Sequence, residues 1–207
     1  MTNRVNATSS VGIRGPGFVM PKTSEFSKVY MDDQLFSSKP IEIDPTSFMI
    51  FDAVENAFME EKISVGSMDA EPITFAGYGE PLLVLGSMCD AATLIKESRH
   101  GVPLRLKTNG LVATADCCNV ATQLSSAGIE RVSINLLSDN PKQYQELMQP
   151  QTGLKFNDVC SFVIACVEAG LEVECSTVSH PTVNISAVRA LSHSLGAQKF
   201  NVGSYHL

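Results

Sequence analysis

The chain has 207 residues, 44% of them apolar, with 15 Lys and Arg against 22 Asp and Glu, a net charge of −7 and a pI near 5.1. That acidity argues against nucleic acid or an anionic membrane surface as the main partner, because both are polyanions held largely by Lys and Arg. No run approaches the roughly 18 to 20 apolar residues that span a bilayer, so a soluble, cytoplasmic protein with no membrane partner is expected. Arg4, Arg14 and Lys22 lie in a Ser/Thr-bearing stretch with no acidic residue before Glu25, which leaves an organelle-targeting reading open beside that of an irregular tail.

Six cysteines stand at 89, 117, 118, 160, 166 and 175, with no CxxC or CxxxC spacing among them. They spell no metal site, and a reducing compartment is the simplest inference.

Residues 1–37 are rich in Gly, Pro, Ser and Thr and read as a largely irregular segment, in which Val11 to Met20 is the candidate first strand. Residues 38–207 read as one β/α domain. Asp44-Pro45 supplies an N-cap and a first-turn proline for a helix to about Lys62, with Ile50, Val54, Ala57 and Phe58 at helical spacing. Ile73 onward is a strand that breaks into Gly77-Tyr78-Gly79-Glu80-Pro81.

A helix carrying Leu85, Met88, Cys89, Ala92 and Ile95 stops at Gly101, and Val102 to Lys107 is a strand ending in Thr108-Asn109-Gly110. The unit then recurs. A helix around Val120 and Leu124 stops at Gly128 before a strand from Arg131 to Leu137, which places Ser133 and Asn135 at alternate positions. Asn140-Pro141 caps a short helix, and a longer one with Val159, Phe162, Val163 and Cys166 stops at Gly170 before the strand Leu171 to Val178. Asn184 caps a last helix closed by Gly196, and Phe200 to Tyr205 is the final strand.

Strands alternating with amphipathic helices require crossover connections, hence a parallel sheet. An open doubly wound sheet and a partial or complete β/α barrel both fit. In either, the carboxyl ends of the strands gather on one face, where Glu80, Thr108, Asn109, Ser133, Asn135, Ser176 and Thr177 would meet.

Four strand ends in order thus carry Gly77-Tyr78-Gly79-Glu80-Pro81, Lys107-Thr108-Asn109-Gly110, Arg131-Val132-Ser133-Ile134-Asn135-Leu136 and Glu174-Cys175-Ser176-Thr177-Val178-Ser179-His180-Pro181. Over about Ile73 to Tyr205 this pattern resembles the radical S-adenosylmethionine (SAM) superfamily. The branch it looks most like is that of small radical SAM proteins associated with TatD-type nucleases. The segment Tyr144 to Pro150 is also similar to that branch.

The resemblance implies a partial (β/α)6 barrel. It places Gly77, Tyr78, Gly79, Glu80 and Pro81 against the amino group of S-adenosylmethionine, with Tyr78 in place of a first glycine. Asn109, Ser133 and Asn135 would approach the ribose and carboxylate. Turn carbonyls with no Cβ in the way suit an ammonium, and short donors and acceptors suit ribose hydroxyls.

The family also holds a four-iron, four-sulfur (4Fe-4S) cluster through a CxxxCxxC loop just after the first strand, because thiolates are the soft ligands it needs. No cysteine precedes Cys89, and the interval from about Gly15 to Lys39 has none. The expectation is therefore a radical SAM-like protein descended from an enzyme, without the usual cluster in this chain, whose inherited small-molecule ligand is S-adenosylmethionine or a related nucleoside.

Two alternatives stand beside it: a cluster-free binding or interaction protein on the same scaffold, and an enzyme holding a divalent cation with strand-end carboxylates such as Glu80 and Asp69. Plainer readings exist for single features. Glu80 suits a helix start, Asn109-Gly110 is a common turn dipeptide, and Ser133 and Asn135 could simply be polar residues at a strand's open end. His180 is the one histidine kept as a site candidate, while Cys117-Cys118 beside Asp116 reads as a helix start.

Overall fold

The computed structural model describes residues 10–12, 44–59, 72–76, 80–148, 150 and 153–203. Six strands form a single sheet in the order β1 (Ser10–Gly12), β2 (Ile73–Ala76), β3 (Leu104–Thr108), β4 (Arg131–Asn135), β5 (Glu172–Val178) and β6 (Lys199–Gly203), every neighbouring pair parallel. Between them run α1 (Ser47–Met59), α2 (Leu85–Ser98), α3 (Cys117–Ser126), α4 (Pro141–Met148), α5 (Phe156–Glu168) and α6 (Ile185–Ser194). A 3-10 turn at Pro81–Val84 leads into α2.

Sequential order decides between the two architectures that the pattern allowed. Right-handed crossovers taken in one direction place all the helices on one face, whereas a doubly wound sheet must reverse its strand order. The fold is a partial (β/α)6 barrel with parallel strands and outer helices.

Alternation along each strand separates the two faces. Ile73, Phe75, Leu104, Leu106, Val132, Ile134, Val173 and Cys175 turn outward and share one buried cluster with Met88, Ala92, Ile95, Leu124, Phe162, Val163, Cys166 and Val188 of the helices. Each large aliphatic side chain so buried contributes about 1.5–3 kcal/mol. Tyr144 is wholly buried as well, edge-on to Phe156 at 5.6 Å between ring centroids.

The helix stops expected at Gly101, Gly128, Gly170 and Gly196 all have positive φ, between 79° and 94°. Other boundaries shift. The first helix begins at Ser47, not at Pro45, because Thr46 Oγ1 accepts from the Met49 amide at 3.3 Å and takes the cap expected of Asp44. Asn140 and Asn184 cap as expected, accepting from the Lys142 amide at 2.9 Å and the Ala187 amide at 3.1 Å. Of the candidate first strand, Val11 and Gly12 lie in β1; its remainder, and the interval that a cluster loop would occupy, lie outside the described residues.

Candidate functional site

Glu80 is extended, with φ −103° and ψ 115°, the conformation that a following proline imposes. From there its carboxylate turns into the protein. Oε1 accepts from the Leu82 amide at 3.1 Å, capping the 3-10 turn, and from Thr108 Oγ1 at 2.5 Å; Oε2 accepts from the Asn109 amide at 2.9 Å. Burial pushes the Glu80 pKa up, opposed by the hydrogen bonds from Asn109, Thr108 and Leu82.

The receiving loop is locked by its own side chains. Thr108 Oγ1 accepts from the Gly110 amide at 3.0 Å and Asn109 Oδ1 from the Leu111 amide at 2.8 Å. Gly110 has φ 69°, and a Cβ there would sit 2.5 Å from Ile134 Cγ2, so the backbone must turn left-handed against the core. Beside this clamp opens a cleft of about 350 Å³ between the 3-10 turn and α3, lined by Glu80, Leu82, Asn109, Leu111, Asp116 and Asn119 among others.

The concave face of the sheet is a second polar region. In register across the strands stand Thr74, Arg105, Arg131 and Glu172; above them Lys107, Ser133, Glu174 and Lys199; and at the carboxyl ends Asn135, Ser176 and Asn201. Ser133 Oγ donates to Glu174 Oε1 at 2.9 Å, Arg105 pairs with the same oxygen at 2.5 Å, and Lys199 pairs with Glu172 at 2.5 Å. Ser176 Oγ donates to Asn135 Oδ1 at 2.9 Å.

The residues singled out in the sequence therefore fall into two groups. Glu80 and Asn109 meet at the ends of β2 and β3, and Pro81, buried, starts the 3-10 turn beside them. Ser133 and Asn135 share the concave face with Glu174 and Ser176. Gly77, Tyr78, Gly79 and Asp69 lie outside the described residues.

One expectation about the strand-end face needs correction. Thr177 falls in the outward row with Val173 and Cys175 and is buried there, whereas the Thr108 hydroxyl does meet Glu80. His180 Nδ1 is 2.8 Å from Thr182 Oγ1, within its own turn.

Arg105, Lys107, Glu172, Glu174, Lys199 and Asn201 were not legible as site residues, yet a signal was present. Buried parallel strands usually read as continuous apolar runs, whereas β3 to β6 alternate polar and apolar at period two, which marks one open face.

The cysteines do not fit an iron–sulfur cluster. Cys117, Cys166 and Cys175 are buried on the outer side of the sheet, Cys89 and Cys160 are half-buried on helices, and Cys118 is exposed at the start of α3; all six are free thiols. Burial pushes Cys89, Cys117, Cys160 and Cys175 up to about 11, and Cys166 higher, which is opposite to what a thiolate ligand needs. Among the described residues no three His, Cys, Asp or Glu side chains are grouped to hold a metal ion. No helix among them is long and apolar enough to cross a membrane.

No family model matches the sequence, and no curated protein matches it. Solved structures do share the fold. TYW1, determined with a lysine-pyruvate adduct bound, superposes with a TM-score of 0.55 at 12% identity over 84% of this chain and 59% of that one. TsrM from Kitasatospora setae, a radical S-adenosylmethionine methyltransferase, gives a TM-score of 0.50 at 17% identity over 77% of this chain and 30% of that one.

The present chain thus spans less than two thirds of either protein's length. At such identities the likeness is one of fold, and the fold is radical SAM-like.

Proposed function

We propose that this domain binds S-adenosylmethionine or a related nucleoside at the carboxyl ends of its strands, in a chain that carries no cluster motif. The observation that supports the reading best is the polar rung Asn135, Ser176 and Asn201 on adjacent strands β4, β5 and β6, with Ser176 already oriented onto Asn135 at 2.9 Å. Short amide and hydroxyl groups in that setting suit the two hydroxyls of a ribose. The clamp anchors Glu80 on β3, and the family resemblance assigns residues 77–81 to the ligand's ammonium group.

In this reading Asn135 and Ser176 bind and orient the sugar, and the clamp holds Glu80 in place. Asn109, its Oδ1 taken up by the Leu111 amide, holds the loop. No radical step is assigned to the chain, because its cysteines do not fit the cluster that would generate the radical. The TatD-associated branch and descent from an enzyme belong to the same proposal.

Calorimetric titration with S-adenosylmethionine, S-adenosylhomocysteine and adenosine tests it. Saturable binding is expected, weakened at least tenfold in Asn135→Ala. Absence of saturable heat with all three ligands would reject the reading in favour of a cluster-free interaction protein. Anaerobic reconstitution with iron and sulfide should yield no cluster absorption; stoichiometric iron would overturn the cluster-free assignment.

A further inference from the structure

Ser138, wholly buried, stands in the loop between β4 and α4, and Thr182 in the loop between β5 and α6. One side chain joins them. Gln143, half-buried in the first turn of α4, accepts from Ser138 Oγ at 2.6 Å through Oε1 and donates to the Thr182 carbonyl at 2.7 Å through Nε2, across 39 residues. A carbonyl can only accept, so the orientation of the amide is fixed: Nε2 faces Thr182, and Oε1 is left for the serine hydroxyl.

Both ends of this link are themselves held. Ser138 Oγ accepts from the Asn140 amide at 3.0 Å, and Asn140 Oδ1 accepts from the Gln143 amide at 3.1 Å, which sets the start of α4. In the other loop the His180 amide donates to the Val178 carbonyl at 2.8 Å and the Val183 amide to the His180 carbonyl at 3.0 Å. Gln143 thus ties one formed turn to another.

The two loops leave the strands that carry the polar rung. Leu136, next to Asn135, donates its amide to the Ser176 carbonyl at 2.8 Å, and β5 ends at Val178 just beyond Ser176. In a β/α barrel the loops at the carboxyl ends of the strands form the rim of the ligand site.

We infer that Gln143 is a positioning residue for that site: by bolting the β4–α4 loop to the β5–α6 loop it presets the rim around Asn135 and Ser176, which a ligand would otherwise have to order on binding. The inference rests on the nucleoside reading and adds to it a residue that acts through the two loops. Its effect falls on affinity more than on global stability, because the link joins loops outside the strand ladder.

Gln143→Glu is the discriminating variant. It keeps the length and the acceptor for Ser138 but turns an oxygen toward the Thr182 carbonyl, so the loops part. Amide hydrogen exchange on the full chain without ligand should quicken at least tenfold at His180 and Val183, with β4 and β5 unchanged. Calorimetry with adenosine should show affinity weakened at least fivefold while the urea midpoint stays near that of wild type. Gln145→Glu, which places the same charge on an exposed position of α4, should change neither exchange nor affinity.

If Gln143→Glu does not fold, Gln143→Ala takes its place with the same two expectations. Unchanged exchange at residues 179–183, or faster exchange there with adenosine affinity intact, overturns the positioning role and leaves the nucleoside reading standing. Faster exchange throughout β4 and β5 marks a structural role and overturns it as well. Absence of nucleoside binding by the wild-type chain rejects that reading itself, and the positioning role with it.

Discussion

Thr108 Oγ1 lies 2.5 Å from Glu80 Oε1, across a separation of 28 residues, and both groups are buried. The hydroxyl donates to the carboxylate and accepts from the Gly110 amide, so one contact joins the end of β2 to the loop after β3. The motif glutamate thus acts through the backbone it fixes.

Replacing Glu80 by Ala strands the Asn109 amide, the Leu82 amide and the Thr108 hydroxyl in a buried site. We expect a loss of about 3 kcal/mol in urea unfolding. Thr108→Val should cost about 1–2 kcal/mol, and the double variant should lose less than the sum, since both remove the same contact. Strict additivity would show that the two groups do not act together.

Gly110→Ala should destabilise by about 2–4 kcal/mol, because φ is 69° and the new methyl meets Ile134 Cγ2 at 2.5 Å and Val159 Cγ2 at 3.0 Å. Gly86→Ala, in α2 with nothing within 4 Å, should instead stabilise by about 0.5 kcal/mol. Thermal denaturation of the pair separates local backbone strain from a general intolerance of glycine substitution.

Asp158 accepts from the Thr114 hydroxyl at 2.7 Å, the Thr114 amide at 3.1 Å and the Lys155 amide at 2.8 Å, tying the β3–α3 loop to the start of α5. Burial pushes its pKa up, but the hydrogen bonds from Thr114 and Lys155 outweigh that and hold it below the ordinary aspartate value. A carboxyl whose folded pKa lies below its unfolded one stabilises the fold fully above the unfolded value. That stabilisation is lost as pH falls from about 4 through the folded pKa. Asp158→Asn should therefore be less stable than wild type at neutral pH, and the gap should close below about pH 4 in acid titrations followed by circular dichroism.

Of the six cysteines only Cys118 is exposed, and burial holds the thiols of the other five protonated. Native protein should show one fast-reacting thiol with a disulfide reagent, abolished by Cys118→Ser, and the remaining five only on unfolding. Several fast equivalents in the folded protein would contradict this packing.

The helix stops, the asparagine caps and the strand positions are local properties, and each was readable because backbone geometry imposes period 3.6 or period 2 on whichever side chains face the core. Pro81 likewise dictates the extended Glu80 that starts the clamp. Which groups then meet is not local. Arg105 reaches Glu174 across 69 residues because β3, β4 and β5 are adjacent and in register, and Glu80 reaches Thr108 because β2 lies beside β3.

The alternating polar positions could announce an open face, but not which charges would pair on it. That depends on strand order. Strand order follows from how the crossovers pack over the whole sheet, a long-range property that the periodicity of a single segment does not carry.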